Sequence, residues 1–534
     1  MKTEKINQTA KKAGIPTKFF QPLGDYKGKV DLKLVKDLQK KKDGKLILVT
    51  AITPTKFGEG KTTVSIALAD SINIENKCLL CLREPSMGPT FGVKGGATGF
   101  GASSLFLQDD INLHFTGDFH AINSVTNLVA AVIDNHIFQG NELDIDPNRI
   151  TWKRSLDVND RSLRDITTCQ AINCGEEKKA KFVITAASEL MVSLVLAKSK
   201  ESLLEKIANT IVAYTKKGKP VQIKDFKIEG AISALLEEAI KPNLTTTVMN
   251  SPTFIHGGPF ANIATGNSSV IATRLSRKLS PITITEAGFG ADLGAQKFLD
   301  IVCREGEFQP DLVILVGTIK ALKHHGGCPD EKITNCCTKC LREGFANLVF
   351  HYNNLKAYGL PVLVVLNQFS QDHPEEVKEF FKLCQENKLE YSLVEPAVFK
   401  KQQRILLANK TFEMLKRPKK FKQLYKMDES AWDKIEKVCK GTYHCKNIEY
   451  SLEAKKTISA IIKEKKVPFH VCISKVPTAI GDDPNVLNVP QNHTIHIREA
   501  YFNSGANLLV CLTGKIVDLP GLPKVPRAVN FVKK

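Results

Sequence analysis

Residues 53–70 read TPTKFGEGKTTVSIALAD, and they follow an apolar, β-branched run at 46–52 of the length of a buried strand. Strand, glycine-rich loop and helix in that order make a phosphate-binding loop. Gly58 and Gly60 let backbone N–H groups curl round phosphate oxygens, Lys61 brings a point charge to the terminal phosphates, and the Thr62 hydroxyl suits Mg²⁺. The helix predicted over 63–71 then turns its N-terminal dipole toward the anion. The full pattern asks for glycine where Thr55 stands. The nucleotide contacts predicted from this stretch are Thr55, Lys56, Phe57, Gly58, Glu59, Gly60, Lys61, Thr62 and Thr63, with Thr62 the metal ligand. A glycine-rich turn before an ordinary helix is the plainer alternative.

The chain has 534 residues, enough for two to four domains, and its 43% hydrophobic and 7% aromatic content is that of a globular protein. No apolar run approaches the ~20 residues of a spanning helix. The N-terminus carries lysines without an apolar core or a cleavage site. These features predict a cytoplasmic protein without a membrane partner. Lysine and arginine exceed aspartate and glutamate by 75 to 56, a net charge of +19. Such a field favours nucleotides and polyanionic coenzymes. The excess is lysine scattered through runs such as 40–45 and 417–426 without interleaved aromatics, which argues against nucleic acid as a partner.

Apolar runs at 79–82, 182–185, 282–285, 312–316, 362–367, 469–474 and 507–512 alternate with helical spacing, for example at 202–214 and 232–240. That alternation predicts an α/β fold, a parallel sheet with helices on both faces carrying the phosphate loop, followed by smaller C-terminal α/β domains. The expected divisions are 1–300, the phosphate-loop domain that binds the nucleotide and a second small anion; 301–415, a second α/β domain; and 416–534, a C-terminal domain. Cys78 and Cys81 read as buried strand residues. Cys328, Cys336, Cys337 and Cys340, with His324 and His325 upstream, contain a Cys-x-x-Cys pair compatible with zinc, though a second spaced pair is missing.

Between residues 83 and 166 the text becomes specific. REPSMGPTFGVKGGATGFG from Arg83, DINLHFTGDFHAI from Asp110, IDNHI from Ile133 and DVNDRSLRDI from Asp157 closely resemble formate tetrahydrofolate ligases. IKPNLTTTV from Ile240, FIHGGPFANIATGNSSVIAT from Phe254, TEAGFGADLGAQKF from Thr285, KALKHHGG from Lys320 and PGLPKVP from Pro520 extend the resemblance over essentially the whole chain. It implies ATP-dependent joining of formate to tetrahydrofolate through formyl phosphate, with Mg²⁺, a monovalent cation, and a homo-oligomer that is often a tetramer. Lys61 and Arg83 then supply positive charge, Arg83 as a planar fork for formate or the phosphoryl group. Arg83 follows a strand predicted at 78–82, at the carboxyl end where open α/β sheets bind ligands. Glu84 and Asp118 become candidates for orienting Mg²⁺ or taking the amine proton, although an Arg-Glu pair is also ordinary surface charge and an aspartate after glycine an ordinary turn. Phe369, Pro520, Gly521 and Leu522 are the implied folate contacts. His256 and Asp292 sit in glycine-rich loops near this chemistry; His114 and His120, bracketed by apolar residues, read as structural.

Departures from the family pattern cluster. Lys56-Phe57 replaces Pro-Ala, Ala102 replaces a tyrosine after the glycine triplet that here reads Gly99-Phe100-Gly101, and Thr265 and Asn267 replace His and Cys. The tryptophan that faces Phe369 across the pterin falls near Ala397, the following Gly-Gly-Glu-Gly reads Lys400-Lys401-Gln402-Gln403, and a Lys-Thr-Gln-Tyr-Ser run reads Lys475-Val476-Pro477-Thr478-Ala479. Three readings follow: the ligase itself, a nucleotide-binding relative with a lost or altered folate acceptor site, and another phosphate-loop carboxylate ligase.

Overall fold

The computed structural model describes residues 3–92, 97–397, 399–465, 467–514 and 516–531. Part of the run from Arg83, residues 93–96, lies outside them. The apolar run before the phosphate loop is strand Lys45–Ala51, buried from Leu46 onward. Around it stands a sheet of ten strands: β1 (Phe20–Pro22), β2 (Gly28–Val30), β3 (Lys45–Ala51), β4 (Cys78–Leu82), β5 (Asn243–Thr246), β6 (Pro252–Ile255), β7 (Ile282–Glu286), β8 (Leu312–Gly317), β9 (Val362–Asn367) and β10 (Tyr391–Val394). Their spatial order is β1-β2-β5-β6-β4-β7-β3-β8-β9-β10. From β6 to β10 every neighbour is parallel; β1, β2 and β5 form an antiparallel flank. The sequence pattern predicts only the parallel part.

Parallel central strands are apolar on both faces because helices cover both. Leu46, Leu48, Val313, Leu315, Val362 and Val364 point into one core. Their chain neighbours Ile47, Val49, Ile314, Val316, Leu363 and Val365 point into the other, as a period of two requires. Helix α1 (Lys61–Ile72) packs Val64, Ile66 and Leu68 on the second face. The sheet takes β3 from one side of residue 300 and β8 from the other, with Leu312 opposite Ile47 and Val316 opposite Ala51. Residue 300 itself lies in the helical segment Phe298–Val302, between strands of the same sheet. Residues 447–513 form a separate four-stranded sheet whose core holds Ile473, Ile495 and Leu509. No helix among the described residues is long and apolar enough to cross a membrane.

Two helical expectations are corrected. The 202–214 pattern is helix Lys200–Ala208 followed by strand Ile211–Thr215, because Asn209 and Thr210 interrupt the helix and IVAYT is β-branched and aromatic. The 232–240 pattern is helix Glu229–Leu235 running into turns.

Helix α1 also carries a buried acid. Asp70 is 4% exposed and accepts a 2.6 Å bond from the Thr247 hydroxyl. Burial, only partly offset by that bond and one from Ser251, raises its pKa from 3.8 to about 7. Between those values the native state holds more protons than the unfolded chain, so this site's contribution to stability falls as pH rises through the window. Asp70→Asn keeps an acceptor for Thr247 and loses the charge. Thermal unfolding should show the variant melting above the wild type at pH 8, with the difference vanishing near pH 4.

Candidate active site

Strand order places the chemistry. β7 lies between β4 and β3, so the residues at their carboxyl ends meet: Arg83 after β4, Glu286 closing β7, and the loop after β3. The loop is tightly braced. Thr53 N–H donates to Asn347 Oδ1 at 3.2 Å, Thr53 O lies 2.9 Å from His325 Nε2, and Thr53 Oγ1 is 2.8 Å from His351 Nε2. Glu59 folds back to accept from Thr55 N–H at 2.6 Å and from the Thr55 hydroxyl at 3.2 Å. Thr55 thus fits the loop without being glycine. Gly60 stands at φ +72°, and a Cβ there would come within 2.1 Å of Asn367 Nδ2, which itself donates to Glu59 O at 3.1 Å. Only glycine serves at that position.

At the start of α1 the Thr62 hydroxyl donates to Glu286 Oε1 at 3.2 Å, while Glu286 Oε2 is buried without a partner. Arg83 donates from one terminal nitrogen to Pro259 O at 3.0 Å, and its Nε is buried and unpartnered. Gly288 makes room for the guanidinium, since a Cβ would stand 3.1 Å from both terminal nitrogens. Among the described residues neither Lys61 nor Arg83 sits in an ion pair within 4.0 Å. Burial lowers the pKa of Lys61, with Glu59 and Glu286 opposing and Arg83 adding to the shift. Burial also lowers that of Arg83, against Glu286. The two cations share Glu286, Lys61 feels Glu59 as well, and with neither cation ion-paired the cradle can take a further anion.

A second polar group adjoins it. Glu84, 4% exposed, has Oε2 unpartnered, and burial first, then the Asp118 carboxylate, pushes its pKa well above the carboxylate range against Lys29. Asp118 opens the helix Asp118–Phe138 and forms a buried pair with Lys29 at 2.5 Å, accepting also from Asn243 Nδ2 at 2.8 Å. An acid–base pair of carboxyls with one ammonium is the result.

A model of the family described as formate–tetrahydrofolate ligase matches residues 1–532. Proteins named formate–tetrahydrofolate ligase from Thermosipho africanus and Thermosipho melanesiensis are each 45% identical over 532 residues, 99% of this chain and 96% of theirs. One from Staphylococcus epidermidis is 42% identical over the same shares. The chain belongs to the formate–tetrahydrofolate ligase family.

Several of its departures from the ligase pattern have local partners. Lys56 pairs with Asp330, and the Phe57 ring meets His324 edge-on at 5.8 Å, so both turn toward the 324–330 segment. Asn267 donates to Glu286 O at 3.2 Å and supports the carboxylate between the cations. Lys475 is fully buried 2.8 Å from Asp292, a pair that joins the C-terminal sheet to the turn after Glu286. His256 is also buried, 2.6 Å from Ser269 Oγ and 2.8 Å from Ala239 O, and burial lowers its pKa to about 4. It is a structural histidine. His114 and His120, expected to be structural, are exposed.

The implied folate residues separate. Phe369 follows β9, half-buried, with Lys320 Nζ 5.5 Å from its ring centre. Pro520, Gly521 and Leu522 lie beside Arg161 and Arg164, where Leu522 O accepts from Arg161 and Leu519 O from Arg164 at 2.9 Å. Ala397 is exposed, but Ala102 N–H donates to Pro396 O at 3.1 Å, bringing the hairpin of Gly99–Phe100 and Ser103–Ser104 beside it with Phe100 64% exposed. A cavity of about 400 Å³ lined by Trp152, Tyr214 and Tyr501 includes no phosphate-loop residue. Glu286, Lys29, Asn367 and Phe100 are the residues that motif reading leaves unassigned. Glu286 had a visible signal, an acid closing a β-branched strand before a glycine-rich turn.

Lys61→Ala removes one of the two cations while leaving the Thr62–Glu286 contact. Turnover of ATP should fall by at least about 10²-fold with the circular dichroism spectrum unchanged; a variant retaining wild-type turnover would take the loop out of the chemistry.

Proposed function

We propose that this chain joins formate to tetrahydrofolate with cleavage of ATP to ADP and phosphate, at the cradle of Lys61, Arg83 and Glu286. The observation that carries the reading is the convergence of two cations lacking ion-pair partners, with one unpartnered guanidinium N–H, where three parallel strands end. Two anions, ATP and formate, must be held together before they react, and positioning plus charge stabilisation is the protein's main contribution to phosphoryl transfer. A formate oxygen attacks the terminal phosphorus and ADP leaves, giving formyl phosphate. The folate amine then attacks the formyl carbon, phosphate leaves, and the amine proton passes to a base.

Oxygen donors suit Mg²⁺, and the Thr62 hydroxyl beside the unpartnered Glu286 Oε2 fits it. Bound there, Mg²⁺ would neutralise charge on the phosphates. Lys61 holds the terminal phosphate, and the Arg83 fork spans formate and phosphoryl oxygens. Glu84 takes the amine proton, with Asp118 and Lys29 setting its affinity for that proton.

For folate, Phe369 offers one aromatic face and Phe100 supplies the surface that Ala397 lacks. Offset aromatic stacking adds about 0.5–1.5 kcal/mol beyond burial, so Phe100→Ala should weaken tetrahydrofolate binding by up to about 10-fold and leave ATP binding unchanged.

The deciding experiment is ADP release measured with formate, with and without tetrahydrofolate. Release that requires formate and is accelerated by tetrahydrofolate, with formyltetrahydrofolate as product, is expected. Formate-dependent release unaffected by tetrahydrofolate would instead mark a relative with an altered acceptor site. Because Glu84 keeps its proton well above the usual carboxylate range, its basic form accumulates only as pH rises. Formyl transfer should therefore increase with pH, and Glu84→Gln should abolish that rise and slow transfer by roughly 10²-fold.

A further inference from the structure

Beyond the cradle, two loops bring together a thiol, an imidazole and a carboxylate. Cys336 precedes helix α2 (Thr338–Ala357); His373 caps, and Glu375 opens, helix α3 (Pro374–Glu386). One ligating atom from each lies within 4.8 Å of the other two. His373 Nε2 is 2.9 Å from Thr334 O. A carbonyl only accepts, so Nε2 carries the proton and Nδ1 keeps its lone pair, the arrangement in which metal-binding histidines are fixed by a backbone acceptor. Among the described residues the Glu375 carboxylate and the Cys336 sulfur make no hydrogen bond or ion pair. Glu376 is committed elsewhere, to Lys323 at 2.7 Å and to Cys337 N–H at 2.8 Å.

We propose that Cys336, His373 and Glu375 bind Zn²⁺, with water completing a tetrahedral site. Mixed sulfur, nitrogen and oxygen donors suit this borderline-soft ion, and three protein ligands leave one position open. Cys336 and Glu375 are exposed and His373 half-buried, so an ion can reach all three from solvent. The Cys-x-x-Cys pair does not form this site. Cys337 Sγ accepts from Cys340 N–H at 3.3 Å as the cap of α2, while His324 faces Asp330 and His325 faces Thr53.

The position gives the ion a consequence. From His373 the chain runs back through Asp372, which accepts from Phe369 N–H at 2.8 Å, to Asn367, which donates to Glu59 O at 3.1 Å. From Cys336 it runs back to Asp330, the partner of Lys56. Both arms end on the phosphate loop, so the metal would tie together its two outer supports.

The test uses the full chain freed of metal by chelation and titrated with Co²⁺ alone, then with Zn²⁺. Co²⁺ should bind one per chain, with a thiolate-to-cobalt charge-transfer band that Zn²⁺ displaces, and Zn²⁺ should raise the melting temperature. Cys336→Ser should remove the band, and His373→Ala should weaken Zn²⁺ binding by at least about 10-fold. Cys340→Ser should leave the cobalt spectrum unchanged. Metal-free variants melting with metal-free wild type exclude misfolding as the cause. No Co²⁺ spectrum, a band surviving Cys336→Ser, or a band lost in Cys340→Ser would overturn the assignment.

Discussion

The electrostatic imbalance at the end of β3, β7 and β4 organises the rest of the structure. Lys61 and Arg83 share the Glu286 carboxylate, Lys61 also feels Glu59, neither cation is held in an ion pair among the described residues, and burial weakens their protonated forms. Such an arrangement is costly in the empty protein, and it persists because the scaffold over-determines it. The loop is pinned at Thr53, closed by Glu59 on Thr55 and held by Asn367. Glu286 is steadied through its own carbonyl by Asn267. An arriving anion relieves the imbalance, so binding energy is concentrated where charge develops during transfer.

The central sheet was legible because its strands are buried on both faces and carry long apolar runs: 79–82, 282–285, 312–316 and 362–367 all fall on strands. The antiparallel flank was not. Phe20–Pro22 and Gly28–Val30 are three residues each; they pair with one another, and Gly28–Val30 joins the sheet by pairing with the chain near Asn243, a long-range event with no local period. The same distinction holds for the site. Lys61 and Arg83 are readable because motif and strand end coincide. Glu286 becomes visible only when β7 is known to lie between β4 and β3, and Lys29 only when its buried pair with Asp118 is seen.

Substitutions that look like erosion in one dimension divide into two kinds in space. Lys56 and Phe57 turn to the 324–330 segment and Asn267 to the Glu286 carbonyl, so each has a partner where it stands. Ala397 and Ala102 have lost bulk, yet they adjoin a hairpin that displays an added phenylalanine.

The Lys475–Asp292 pair has a consequence for how this chain can be divided. Both side chains are wholly buried, one at the end of a C-terminal strand and the other just past Glu286. Cutting the chain ahead of the C-terminal sheet would strip the aspartate of its counter-charge, and breaking a buried pair in this way costs up to about 3–5 kcal/mol, a large share of the ~5–15 kcal/mol margin of a typical domain. The two parts of the chain are thereby coupled in stability through one ion pair.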